Sequence, residues 1–157
     1  TREGGKNVMV GFFRLQKGDC EEVSRLEKII FGDDAWSTED FEETLCCDYA
    51  YYLVAKDDDE IVGSAGLRNM CGDADITNVL VREDHRRSGI AFDMLNELMK
   101  RTVKIGVRNY TLEVRTGNIP AIRLYEKLGF VSEGVRPGFY EHPKEDALIM
   151  WKRNTME

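Results

Sequence analysis

The chain has 157 residues and carries 22 lysines and arginines against 29 aspartates and glutamates, a net charge of −7. That length is one ordinary domain with enough chain to bury a core unaided, and 42% hydrophobic with 32% charged residues is the composition of a folded, soluble chain. A net field of this sign argues against a general nucleic-acid binder and against a binder of anionic membranes.

The opening TREGGKN lacks the apolar core of a signal peptide, and no stretch approaches the roughly 18 apolar residues of a membrane helix. A cytoplasmic location without membrane contact is the expectation. Val8 to Leu15 is apolar and strand-like until Gly18 and Asp19 break it. Asp19, with Glu22 three residues on, has capping-box spacing, and Val23, Leu26, Ile29 and Ile30 predict an apolar stripe on the following helix. Ser37 and Asp40 repeat the box, with Trp36 spaced to staple onto Phe41, so a short second helix is expected to end near Cys46.

Tyr49 to Lys56 reads as a strand, Asp57-Asp58-Asp59 as a charged turn and Glu60 to Leu67 as the hairpin partner. Cys71-Gly72-Asp73 turns the chain into a further strand from Asp75 to Val81. Three strands joined by short turns predict an antiparallel meander. Arg82 to Ser88 is polar, and from Gly89 an amphipathic helix runs to about Ile105, with Gly106 as its left-handed cap. Asn109 to Arg115 is a strand, a helix spans about Ile119 to Leu128 with Gly129 closing it, and Phe130 to Val135 and Ala147 to Lys152 are the last strands. The order β α α β β β α β α β β reads as α+β or mixed α/β, in a single domain over 1–157 without repeats or linkers.

Three segments carry candidate chemistry. In His85 to Phe92, HRRSGIAF, a glycine opens a helix behind two arginines. Free N–H groups, the helix dipole and the lack of a side chain at Gly89 make an anion cradle of the pyrophosphate-binding type. A plain helix start with two solvated arginines fits the same residues. Glu113 alternates with the apolar Leu112 and Val114, which suits either a base or the wet face of a strand. Tyr125 shares a helical face with Ala121, Leu124 and Leu128, and Asn118 stands where a helix cap belongs. No phosphate-loop, dinucleotide or G-x-S-x-G signature is present. His85 and His142 have no Cys or Asp partner at informative spacing, and Cys20, Cys46, Cys47 and Cys71 form no C-x-x-C pair. Reduced thiols and no metal site are expected.

Together these segments resemble the GCN5-related N-acetyltransferase (GNAT) superfamily. Its [QR]-x-x-G-x-[GA] pattern stands as Arg86-Arg87-Ser88-Gly89-Ile90-Ala91, and LEVR-x-x-N-x-x-A-x-x-L-Y-x-x-x-G-F runs from Leu112 to Phe130. EDALIM, Glu145 to Met150, fits the family's ending. The chain is most similar to its ribosomal-protein-alanine N-acetyltransferases (RimI type), through the Trp36-Ser37 helix start, the TN-x-x-V strand at Thr77 to Val81 and Phe139-Tyr140.

The resemblance implies a GNAT fold, a mostly antiparallel twisted central sheet flanked by helices. It implies acetyl-CoA as co-substrate and a protein N-terminus, that of a ribosomal protein, as acceptor, with a monomer and no nucleic acid involved. Carried over by position, the backbone of Val79, Leu80 and Val81 would pair with the pantetheine arm. Arg86, Arg87, Ser88, Gly89, Ile90, Ala91 and Phe92 would hold the pyrophosphate, and Asn118 would touch the cofactor. Glu113 would be the general base, Tyr125 the general acid, and Trp36, Phe139 and Tyr140 would wall the acceptor. The family also admits small-molecule amines or free amino acids as acceptors, and a non-catalytic acyl-CoA-binding module would keep the cradle without needing the base and acid.

Overall fold

The computed structural model describes residues 10–153; Val8 and Met9 of the expected first strand lie outside them. The elements follow the expected order: β1 (Val10–Arg14), α1 (Cys20–Phe31), α2 (Thr38–Leu45), β2 (Ala50–Asp57), β3 (Glu60–Met70), β4 (Asp73–Val81), α3 (Ile90–Val103), β5 (Asn109–Arg115), α4 (Ile119–Lys127), β6 (Val131–Glu141) and β7 (Lys144–Lys152). They form one seven-stranded sheet in the order β1-β2-β3-β4-β5-β7-β6. Every neighbouring pair is antiparallel except β4 with β5.

Alternation along each strand sends side chains to opposite faces. Leu53, Ala55, Leu67, Ala74, Leu112 and Val114 pack under α3 and α4 in the larger core. Tyr52 and Val54 face the other way, onto Cys20, Val23 and Leu26 of α1 and Phe41 of α2. Glu113, between Leu112 and Val114, therefore belongs to the α1–α2 face.

The meander forms as expected: β2 pairs with β3 and β3 with β4, through turns with Asp58 and Cys71 at φ 56 and 58. Ser37 accepts from the Asp40 N–H at 3.1 Å, Asp40 accepts from the Ser37 N–H at 2.9 Å, and the Trp36 and Phe41 rings lie 5.1 Å apart. Three expectations change. Asp19 does not cap α1, because a 3-10 turn over Lys17–Asp19 precedes the helix and the Asp19 carboxylate turns back to accept from the Gln16 N–H at 2.9 Å. Ile29 leaves the apolar stripe and is 67% exposed, while Glu27 is buried in its stead. β6 runs to Glu141, well past Val135, because a bulge between Arg136 and Tyr140 lets the strand carry Pro137 and Gly138 without ending.

Candidate active site

β4 and β5 are paired only from Asp73 with Asn109 to Asp75 with Thr111. Beyond that row the two strands part. A bulge in β4 accompanies the parting: Ser64 pairs with Leu80 and Gly66 with Thr77, so Asn78 and Val79 together face Ala65. Asn78 takes φ 58, a conformation that asparagine tolerates better than most side chains. A bulge bends and twists its strand, and here it turns Val79–Val81 away from β5.

The gap opens into a groove of about 2500 Å³ that runs from Val79–Val81 past Gly89–Phe92 to Glu113, Asn118, Tyr125, Phe139 and Tyr140. A single small-ligand site is typically about 300–1000 Å³, so the groove has room for two reactants. Trp36 also lines it.

At one end lies the start of α3. Arg87 and Gly89 have φ 63 and 83, backbone of the kind that builds anion-binding nests. A side chain at Gly89 would meet no protein atom within 4 Å, so the space beside this amide is open to a ligand, and the first-turn N–H groups of α3 adjoin it. Arg86, expected at the pyrophosphate, lines the groove and also has a partner within the chain. Its Nε donates to the Val81 carbonyl at 3.0 Å, which ties the cradle to the end of the splayed strand. His85 braces the same loop, with Nε2 2.9 Å from Asp57 and Nδ1 2.8 Å from Asp84. Burial opposes the imidazolium charge, but the two carboxylates outweigh it and raise its pKa. The sequence reading missed this partnership because Asp57 arrives from the end of β2, 28 residues upstream.

The middle of the groove holds the two titratable candidates. Glu113 lies on the wall with its carboxylate 3.3 Å from Arg136. Tyr125 is 8% exposed, with its ring 6.0 Å from Phe130. Burial first and Tyr140 second push its phenol up to about 12. Asn118 caps α4, its Oδ1 accepting from the Ala121 N–H at 3.3 Å.

The far wall is aromatic. Phe139 and Tyr140 meet edge to face at 5.0 Å on the bulged stretch of β6. Burial and then Glu113 push the Tyr140 phenol up to about 12. Arg115, which the sequence reading passed over, anchors this wall. It donates to the Pro143 and His142 carbonyls and to Glu145 at 2.8, 3.1 and 3.1 Å, and lies over the Tyr140 ring at 4.3 Å. Glu145 in turn accepts from the Gly117 N–H at 2.8 Å, joining the hairpin to the turn before α4. Among the described residues no three His, Cys, Asp or Glu side chains gather as metal ligands, and no helix is long and apolar enough to cross a membrane.

Residues 7–130 match the model of the acetyltransferase (GNAT) family. A Bacillus subtilis (strain 168) protein provisionally named a ribosomal protein bS18-alanine N-acetyltransferase is 33% identical over 134 residues, 85% of this chain and 88% of that one. The Mycobacterium tuberculosis (strain H37Rv) N-alpha-acetyltransferase RimI is 30% identical over 141 residues, 87% of each chain. The crystal structure of the ribosomal-protein-S18-alanine N-acetyltransferase from Escherichia coli has the same architecture, with a TM-score of 0.85 at 26% identity over 95% of this chain and 96% of that one.

Proposed function

Because the chain belongs to the acetyltransferase (GNAT) family, we propose that it transfers the acetyl group of acetyl-CoA to the N-terminal α-amine of a protein, its relatives' names pointing to a ribosomal protein that begins with alanine. The reading takes residues 1–157 as a single domain, monomeric and cytoplasmic, without nucleic acid or membrane as partner. The observation that carries it is the parting of β4 from β5 after Asp75, beside a helix start open at Gly89.

Acetyl-CoA supplies an already activated thioester. The chain's own task is to align it with an amine, which can be worth roughly 7–11 kcal/mol. In this reading the free edge of Val79–Val81 takes the pantetheine arm as an added strand, and a backbone N–H there polarises the thioester carbonyl. The amides of Arg87–Phe92 take the pyrophosphate, and Asn118 touches the cofactor. Arg86 contributes by bracing Val81.

Glu113 acts as general base, directly or through water, and Tyr125 protonates the departing thiolate. A phenol that stays neutral up to about 12 keeps its proton available at working pH. Trp36, Phe139 and Tyr140 wall the acceptor. An α-amine with a pKa near 8 is roughly one-tenth free base at neutral pH, whereas a lysine at about 10.4 is under a thousandth. A single partly exposed carboxylate is adequate for the first and poorly suited to the second.

The test is acetyl transfer to a panel of acceptors: peptides beginning with alanine, the same peptides blocked at the N-terminus but carrying lysine, free amino acids and polyamines. Unblocked peptides should lead in kcat/KM by at least about tenfold. Equal or better transfer to a polyamine or free amino acid would replace the protein acceptor with a small-molecule one.

A further inference from the structure

Glu27 is 1% exposed, on the face of α1 that otherwise buries Cys20, Val23 and Leu26. A carboxylate there is costly unless its oxygens find donors, and each does. Oε1 accepts from the Trp36 N–H at 3.0 Å, and Oε2 accepts from Asn78 Nδ2 at 2.9 Å. Asn78 is the left-handed residue of the β4 bulge. Its Oδ1 accepts from the Tyr52 hydroxyl at 2.9 Å. Tyr52 reaches it because its ring occupies the space that a side chain at Gly66 would need. Trp36 is fixed a second time, by Ser24 Oγ donating to its carbonyl at 2.9 Å.

The carboxylate thus joins two parts of the groove that are far apart in sequence, the connection from α1 to α2 and the bulge that opens the sheet. An apolar side chain of similar volume would serve packing as well. What the carboxylate adds is a fixed spacing between one particular N–H and one particular amide.

We infer that Glu27 is a positioning residue: through Asn78 it holds the β4 bulge, and through the Trp36 N–H it holds the acceptor wall, so that donor strand and acceptor stay in register. The inference rests on the function proposed above and deepens it. Glu27 stands at the groove with both carboxylate oxygens already engaged, and in this inference it acts through Asn78 and Trp36.

The test is a charge swap. Asn78→Asp keeps the size and the tolerance of left-handed backbone, but sets a carboxylate oxygen against Glu27 Oε2. Adding Glu27→Gln restores a donor facing an acceptor, while the carbonyl of the introduced amide still accepts from the Trp36 N–H. One readout needs no acetyl-CoA: hydrogen exchange of the Trp36 amide, whose bond to Glu27 does not involve residue 78. N78D should accelerate it by about tenfold and lower kcat by about tenfold to a hundredfold, because small misplacements at a reacting centre cost that much. Acceptor KM should rise, the Kd of acetyl-CoA should stay within about threefold, and the double variant should regain most of both losses.

Wild-type exchange at Trp36 in N78D, or a double variant no better than N78D, would overturn the inference. So would a lowered Tm with kcat unchanged, the mark of a merely structural residue. Should N78D not fold, Glu27→Asp, one methylene too short to span both donors, must move Trp36 exchange and kcat in the same directions. A wild type that acetylates no peptide would defeat the proposed function, yet the exchange measurement would still decide this coupling.

Discussion

Arg136 on β6 reaches across β7 to Glu113 on β5, its Nη1 lying 3.3 Å from the carboxylate. The pair is open to water, with the two side chains 55% and 25% exposed. Such pairs contribute about 0–1 kcal/mol. Glu113→Gln should therefore leave stability within about 1 kcal/mol while lowering kcat by on the order of 10²–10⁴, with acetyl-CoA affinity intact. Arg136→Ala separates the carboxylate from its partner and should keep activity within about tenfold of wild type, because only the screened pair is lost. Steady-state kinetics with a peptide acceptor distinguish them. Equal losses in both variants would mean that the ion pair, and not the carboxylate, is what turnover needs.

Tyr125→Phe removes one oxygen from a ring that packs edge-on to Phe130. Folding should persist, acetyl-CoA should bind as before, and kcat should fall by at least about tenfold, toward the roughly 10²–10⁴ range of general acid–base help. The phenol is held up to about 12. The wild-type rate should therefore show no loss of the acid between about pH 7 and pH 9.5, and an alkaline limb in that window that vanishes in the variant would contradict the assignment.

Gly89 should separate binding from folding. At φ 83 an alanine is strained, by roughly 1–2 kcal/mol, but its Cβ would meet no protein atom within 4 Å. The variant should lose only a few degrees in Tm, about 2–4 °C per kcal/mol for a chain of this size. Its Kd for acetyl-CoA should rise by more than about tenfold. At a hundred times Kd, acetyl-CoA should stabilise the wild type by about 2.7 kcal/mol, and the same concentration should shift the variant far less. Calorimetric titration and thermal scans supply both numbers. Matching affinities would move the anion site away from this helix start.

Much of the architecture was legible because it rests on local chemistry. Alternation around Glu113 marked β5, the charged turn at Asp57-Asp58-Asp59 marked β2 and β3 as a hairpin, the Ser37–Asp40 box marked α2, and glycines at Gly106 and Gly129 marked where α3 and α4 end. Gly89 stood out by its place at a helix start, whereas Glu113 and Tyr125 were singled out by the family resemblance; all three line the groove. What the sequence hid depends on contacts between distant segments. Asp19 looked like a cap, but its carboxylate was claimed by Gln16. Glu27, absent from the expected apolar stripe, is buried because Asn78, 51 positions away, gives its carboxylate a donor. The long β6 was obscured by Pro137 and Gly138, which normally end strands and here sit inside a bulge. One signal was available: Glu27 follows Cys20 and Val23 at the spacing of the buried face, a charge where the helical period calls for an apolar residue.

Asp75 supplies a prediction in pH. It stands opposite Arg68 on one side and Thr111 on the other, in the last row before the strands part, and Glu113 lies two residues further along the same face of β5. Desolvation at the cleft wall and then the Glu113 charge hold its carboxyl up at about 6, with Arg68 pulling the other way. In the unfolded chain the group titrates near 3.9. Between those values the folded state keeps a proton that the unfolded state has given up, so stability falls as pH rises from about 4 to about 6 and stays lowered above that. Asp75→Asn cannot ionise and lacks this loss. The Tm of the variant minus that of the wild type should grow between about pH 4 and pH 6 and then level off. Because the side chain is exposed to solvent, the gain should be no more than about 1 kcal/mol, or roughly 2–4 °C. Thermal scans at pH 4, 5, 6, 7 and 8 measure the curve, and a difference that stays constant across the series would show that Asp75 already ionises at its ordinary pH, leaving Glu113 without a like-charged neighbour that matters.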